Sequence, residues 1–186
     1  MREGSMPLPP PVARAAMHTR EVVCGGWRRD DGLWDIEAYM TDRKGYAVHN
    51  DHRSVEAGAP FHAMALRVTV DDALLIHEVC ACIDAAPFRI CPAVAPDVRC
   101  LVGLRIGRGF MADLRRQLGG VRGCAHLVEL FGPLATTAIQ TVHPLRQASA
   151  GHGEAEPPAQ IDRCHALAAS GETVAKYWPR FHRPTH

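Results

Sequence analysis

The sequence predicts an α+β domain, an antiparallel meander of three or more strands covered on one face by helices. Two observations carry this. Three segments alternate apolar and polar residues with the period of a half-buried strand, and after Pro87 the apolar spacing changes to threes and fours. The length of 186 residues, with 47% hydrophobic and 22% charged residues, is ordinary for one globular domain with a real core.

Pro7-Leu8-Pro9-Pro10-Pro11 favours a stiff extended arm over residues 1–20, read as lying on the domain surface. The first strand runs from Leu33 to Met40, after the turn residues Asp30-Asp31-Gly32. Residues 42–60 are polar, hold Gly45, Asn50, Gly58 and Pro60, and read as a loop. The second strand spans about His62 to Val70, with Met64, Leu66, Val68 and Val70 inward. Asp71-Asp72 turns the chain into a third strand, Leu74 to about Cys82, with Leu74, Ile76, Cys80 and Cys82 on one side.

Helical spacing follows at Ala95–Leu104, with Pro92 and Pro96 setting its start, and at Phe110–Leu118, stopped by Gly119-Gly120. A third helical stretch covers about Cys124 to Val142. Gly132-Pro133 is expected to kink or break it, because proline clashes with the carbonyl four residues back. The main domain is therefore drawn over residues 21–146. Residues 147–160 read as a linker without apolar period, and residues 161–186 as a helical segment docking on the domain.

A net charge of +1 gives no electrostatic case for nucleic acid or an anionic membrane. No apolar run approaches a membrane span, and residues 1–20 lack the core of a signal peptide, so the chain reads as cytoplasmic. Seven cysteines argue against a complete disulfide framework; Cys80, Cys82 and Cys100 read as core fillers. Of eleven histidines, His18, His49, His52, His152, His182 and His186 read as solvated in loops or tails.

Chemistry concentrates in Gly119-Gly120-Val121-Arg122-Gly123-Cys124-Ala125-His126, where a thiol and an imidazole meet the positive end of a helix. Two residues apart in a regular helix is about 200° around the axis, so both face one site only if Cys124 stays in the glycine lead-in. Glu129 shares a helical face with His126 and could orient it. Asp84, at the end of a strand, and Cys91, at a helix entrance, form a second candidate pair. The metal set is then Asp84, Cys91, Cys124 and His126. The plain alternative has Cys124 packing as a small apolar residue, His126 bonding a carbonyl, Asp84 in a turn and Cys91 buried.

Mixed sulfur and nitrogen donors suit zinc or iron. An open position would act as a Lewis acid on a small organic acid or acyl compound, with Arg105, Arg108 or Arg122 holding a carboxylate. Two other readings stay open. One is a metal-free pocket around His62, Trp34 and Arg67 for a small acid or acyl group. The other is a thiol-based persulfide or acyl carrier at Cys124, activated by the helix end and Arg122. All three take a small-molecule ligand, and a homodimer is compatible with each.

The chain also resembles a bacterial family catalogued as domain of unknown function 2889. The resemblance rests on Met6-Pro7-Leu8-Pro9-Pro10-Pro11, His18-Thr19-Arg20, Arg29-Asp30-Asp31-Gly32-Leu33-Trp34, Pro60-Phe61-His62-Ala63-Met64, Ile90-Cys91-Pro92, Gly119–Leu127 and Cys164-His165-Ala166-Leu167. It implies kinship and no activity. The layout of three strands, a strand-end Asp and Cys, and a late Cys and His is also similar to iron–sulfur scaffold proteins of the NifU/IscU type. That resemblance implies Cys91, Cys124 and His126 as ligands, completed by Asp84.

Overall fold

The computed structural model describes residues 8–150, 157–158 and 160–184. Six strands come first: β1 (His18–Arg28), β2 (Trp34–Lys44), β3 (Val48–His49), β4 (Ser54–Val55), β5 (Pro60–Val70) and β6 (Ile76–Ala85). A 3-10 segment, Cys91–Leu101, leads to α1 (Phe110–Leu118), and a 3-10 turn, Gly120–Arg122, leads to α2 (Ala125–Ala150). Beyond it lie a 3-10 turn at His165–Leu167, α3 (Glu172–Tyr177) and a last 3-10 turn at Pro179–Phe181. No helix among the described residues is long and apolar enough to cross a membrane.

The fold is α+β, a four-stranded antiparallel sheet in the order β1-β2-β5-β6 packed against helices. The inward set follows the alternation: Trp34, Ile36, Ala38 and Met40 on β2, then Met64, Leu66, Val68 and Val70 on β5. Phe110, Leu114 and Leu118 of α1 and Leu127, Phe131, Leu134, Ala138 and Val142 of α2 are buried in the same core.

Several expectations need correction, among them the loop read over residues 42–60, which holds the end of β2 and the short strands β3 and β4. The sheet has a further strand, β1, paired along its whole length with β2, within the stretch read as an arm and an unassigned lead-in. On β6 the inward side changes phase: Ile76 is buried, then Val79 and Ile83, while Cys80 and Cys82 are exposed. A bulge is the cause, since Thr69 pairs Glu78 and the next residue, Val70, pairs Ile76. Cys100 is exposed too, so none of these three cysteines fills the core.

The helix read over Ala95–Leu104 is a tighter 3-10 segment that starts earlier, with Pro96 inside it. Finally, Gly132-Pro133 does not end α2, which continues to Ala150. Two of its threonines donate back to carbonyls four residues away, Thr136 to Gly132 at 3.3 Å and Thr137 to Pro133 at 2.9 Å.

Two compact units divide between Pro144 and Leu145. The first contains the sheet, and its core cluster ends at Val142. In the second, the Asp162 carboxylate accepts from the Ala169 amide at 2.7 Å and from Arg183 Nη2 at 2.6 Å. Cys164 and His165 belong to this second unit, where Cys164 is exposed. Residues 1–7 of the proline arm, 151–156 and 159 of the expected linker, and the histidines 152 and 186 lie outside the described residues.

Candidate metal centre

The site starts from the alternation of β2. Ile36, Ala38 and Met40 point inward, and the same parity carries Asp42 inward, where its side chain is 1% exposed. Asp42 pairs with His62 across β2 and β5, and His62 is also buried. Its neighbours across the strands are Arg20 and His62, and a charge buried this deeply needs such polar partners.

It has several. Arg20 of β1 grips the carboxylate through two parallel bonds, Nε to Oδ1 at 2.8 Å and Nη2 to Oδ2 at 2.9 Å. His18 Nε2 lies 3.2 Å from Oδ1. His62 Nδ1 lies 2.9 Å from Oδ2 and donates to it, because an ionised carboxylate only accepts. The Arg20 hydrogen bonds hold the Asp42 carboxyl well below the usual carboxylate range, and Asp42 in turn raises the Arg20 guanidinium. Burial, and then the neighbouring His126, push the His62 imidazolium below the ordinary histidine value.

The third arm comes from α2. Gly120 has a left-handed backbone, φ 64°, and Gly123 is extended, with no room for a Cβ, which would meet the Leu118 carbonyl oxygen at 2.5 Å. Those two glycines bring the chain around so that Cys124 stays outside the helix and His126 occupies its first turn. The His126 ring lies 4.0 Å, centroid to centroid, from that of His62. His126 Nε2 is 3.9 Å from Asp42 Oδ2, and Cys124 Sγ is 4.0 Å from His126 Nδ1.

Asp42, His62 and His126 thus each offer one donor atom, all within 4.8 Å of one another, and the group could hold a metal ion. Two of the three are buried, and His126 is half-buried. In a tetrahedral site with bonds of about 2.0–2.1 Å, neighbouring donors stand about 3.4 Å apart. The distances of 2.9 and 3.9 Å to Asp42 Oδ2 bracket that value.

Of the residues nominated from sequence, His126 and His62 are in this group, and Cys124 stands beside it. Glu129 is 62% exposed and accepts from Arg20 Nη1 at 2.7 Å. Asp84 and Cys91 fall outside the group. Asp84 accepts from the exposed Cys82 thiol at 2.9 Å, and Cys91 is half-buried at the start of its 3-10 segment. Arg122 donates to the Gln117 and Arg115 carbonyls at the end of α1, and Arg105 donates to the Ala73 carbonyl. Arg67 is on the outer face, 3.6 Å from Glu37, opposite in parity to His62, so the two share no pocket.

Sequence reading missed Asp42, Arg20 and His18 as members. The signal for Asp42 was present, since the Ile36-Ala38-Met40 alternation runs on to it. His18 is exposed but does not lie in a loop: it opens β1, and its ring reaches Asp42.

A family model for proteins of unknown function, DUF2889, matches residues 18–140. The chain belongs to this family. The matched span opens at His18 and contains every residue of the Asp42 cluster, while the proline start and Cys164-His165-Ala166-Leu167 fall outside it. No curated protein and no solved structure matches the chain. The layout resemblance to NifU/IscU-type scaffolds therefore has no support, and the four donors it implied do not gather.

Proposed function

We propose that this DUF2889 protein is a cytoplasmic enzyme using one zinc or iron ion, held by Asp42, His62 and His126, to act on a small organic acid or acyl compound. The convergence of three donor atoms within 4.8 Å, from three different elements, carries the reading. Two imidazoles and one carboxylate are a donor set that zinc and ferrous iron share, and three protein ligands leave a position for water or substrate. All seven cysteines are free thiols, which fits a reducing compartment.

The protonation states are those a ligand set needs. Asp42 is kept ionised by Arg20, and His62 is biased to the neutral imidazole. The proton that His62 Nδ1 shares with Asp42 is the one a cation would replace, and Arg20 stays as the outer partner fixing the carboxylate. A metal bound there would polarise a carbonyl or lower the pKa of a bound water.

Elemental analysis of the purified protein tests this. About one equivalent of zinc or iron is expected, lost in His62→Ala and His126→Ala; less than about 0.2 equivalents, unchanged by either substitution, overturns it.

One observation favours a second reading. The His126 imidazole has the Cys124 thiol 4.0 Å from Nδ1 and the Asp42 carboxylate 3.9 Å from Nε2. That is the order of nucleophile, base and orienting group in thiol acyl transfer. Under it, iodoacetamide labels Cys124 faster than the exposed Cys80 and Cys82, and His126→Ala removes the difference.

A further inference from the structure

Arg20 is unusual in having two very different carboxylate partners. Its Nε and Nη2 are committed to Asp42, which is almost fully buried, and this fixes the plane of the guanidinium. Its Nη1 reaches outward to Glu129, which is 62% exposed. Five N–H groups are available on a guanidinium, and these three bonds leave donors to spare on the outward edge. The Glu129 contact is a one-point contact to a solvated side chain, the kind of ion pair that water and salt readily replace. Arg20 is thus held in place beside the Asp42 cluster and covered on its outer side by a solvated carboxylate.

Glu129 links Arg20 to a groove that Arg20 itself does not line. Glu129 lines it together with Leu118, Val121, Ala125 and Val128, between the end of α1 and the first turns of α2. Val121 is fully exposed, and Arg115 and Arg122 also line the groove. His126 is three residues before Glu129, on the same face of α2.

We propose that the site takes an apolar monocarboxylate: the carboxylate replaces Glu129 on Arg20, and the apolar body lies along Leu118, Val121 and Val128. The proposal rests on the metal reading only for the placing of the reacting part of the ligand; Arg20 and the groove belong to the chain itself. Binding displaces the Glu129 side chain into solvent and changes no covalent bond. Arg20 takes the part that sequence reasoning gave to Arg105, Arg108 or Arg122.

Calorimetric titration at low salt tests the proposal with benzoate and hexanoate as probes, acetate as the carboxylate without a body, and benzamide as the neutral isostere. The full chain is used with and without added zinc. Benzoate or hexanoate should bind saturably, and benzamide at least about tenfold more weakly. Glu129→Gln should tighten benzoate by about threefold, since the competing carboxylate is gone. Val121→Asp, at an exposed position that leaves the fold intact, should weaken benzoate and spare acetate.

No response to either apolar acid up to millimolar levels overturns the proposal, as does benzamide binding equal to benzoate, or Glu129→Gln binding no tighter than the unsubstituted chain. Arg20→Lys should abolish the response while circular dichroism stays folded; a folded Arg20→Lys that binds benzoate unchanged also overturns it. The two readings fail separately. Benzoate binding by a chain that takes up neither zinc nor iron removes the metal and keeps the subsite, whereas metal uptake without a carboxylate response does the reverse.

Discussion

Asp42 is the residue on which the site depends. A buried carboxylate is tolerable only because Arg20, His62 and His18 surround it. Asp42→Asn keeps the volume and removes the charge that holds Arg20, so it should cost about 2–3 kcal/mol in urea unfolding, together with the metal. The pH dependence of the metal-free protein follows from the same groups. Both His62 and Asp42 titrate lower in the fold than in the unfolded chain. On acidification the unfolded chain therefore takes up each proton first. The stability that His62 contributes is complete above about pH 6.5 and is lost as pH falls toward its folded value. The Asp42 contribution is complete above about pH 4 and is lost below it. Urea midpoints should fall in two stages on acidification. His62→Gln should shrink the first stage, and an undiminished fall between pH 7.5 and 5.5 in that variant would refute the assignment.

Elements bring these residues together, and here the legibility of the sequence divides. Where an element's inner face is apolar, periodicity located it: β2, β5 and α1 stand close to where Leu33–Met40, His62–Val70 and Phe110–Leu118 placed them. Where the inner face does chemistry, periodicity said nothing. The inward parity of β1 reads His18, Arg20, Val22, Cys24 and Gly26, and three of those five are polar or lack a side chain. Hydrophobic patterning cannot register a strand whose inner face serves a charged site. The phase change on β6 is a further case, because a bulge has no composition of its own. Gly26 makes β1 testable. A Cβ there would meet Thr141 of α2 at 2.2 Å, so the glycine lets strand and helix approach. Gly26→Val should push β1 from α2, cost about 1–3 kcal/mol and loosen Arg20 from Asp42. Unfolding by denaturant gives the first quantity, and a lowered metal affinity in the folded variant reports the second.

At the scale of the whole molecule, every described residue of the site lies in the first unit. The cluster and its surroundings run from His18 to Glu129, and the family match runs from 18 to 140. Among the described residues the core cluster of the first unit closes at Val142, and the second unit has its own buried Ala169 and Val174. A core assembled from β2, β5, β6, α1 and α2 is of a size that folds alone. A chain ending at Pro144 should therefore unfold cooperatively and bind zinc or iron with the stoichiometry of the full protein. If that metal binds only the native state, adding it at about 100 times its dissociation constant should stabilise both chains alike, by about 2.7 kcal/mol. A shortened chain that fails to fold would give the second unit a structural part in the first. One that folds and loses metal would place a ligand beyond Pro144, with Cys164 and His165 the first residues to substitute.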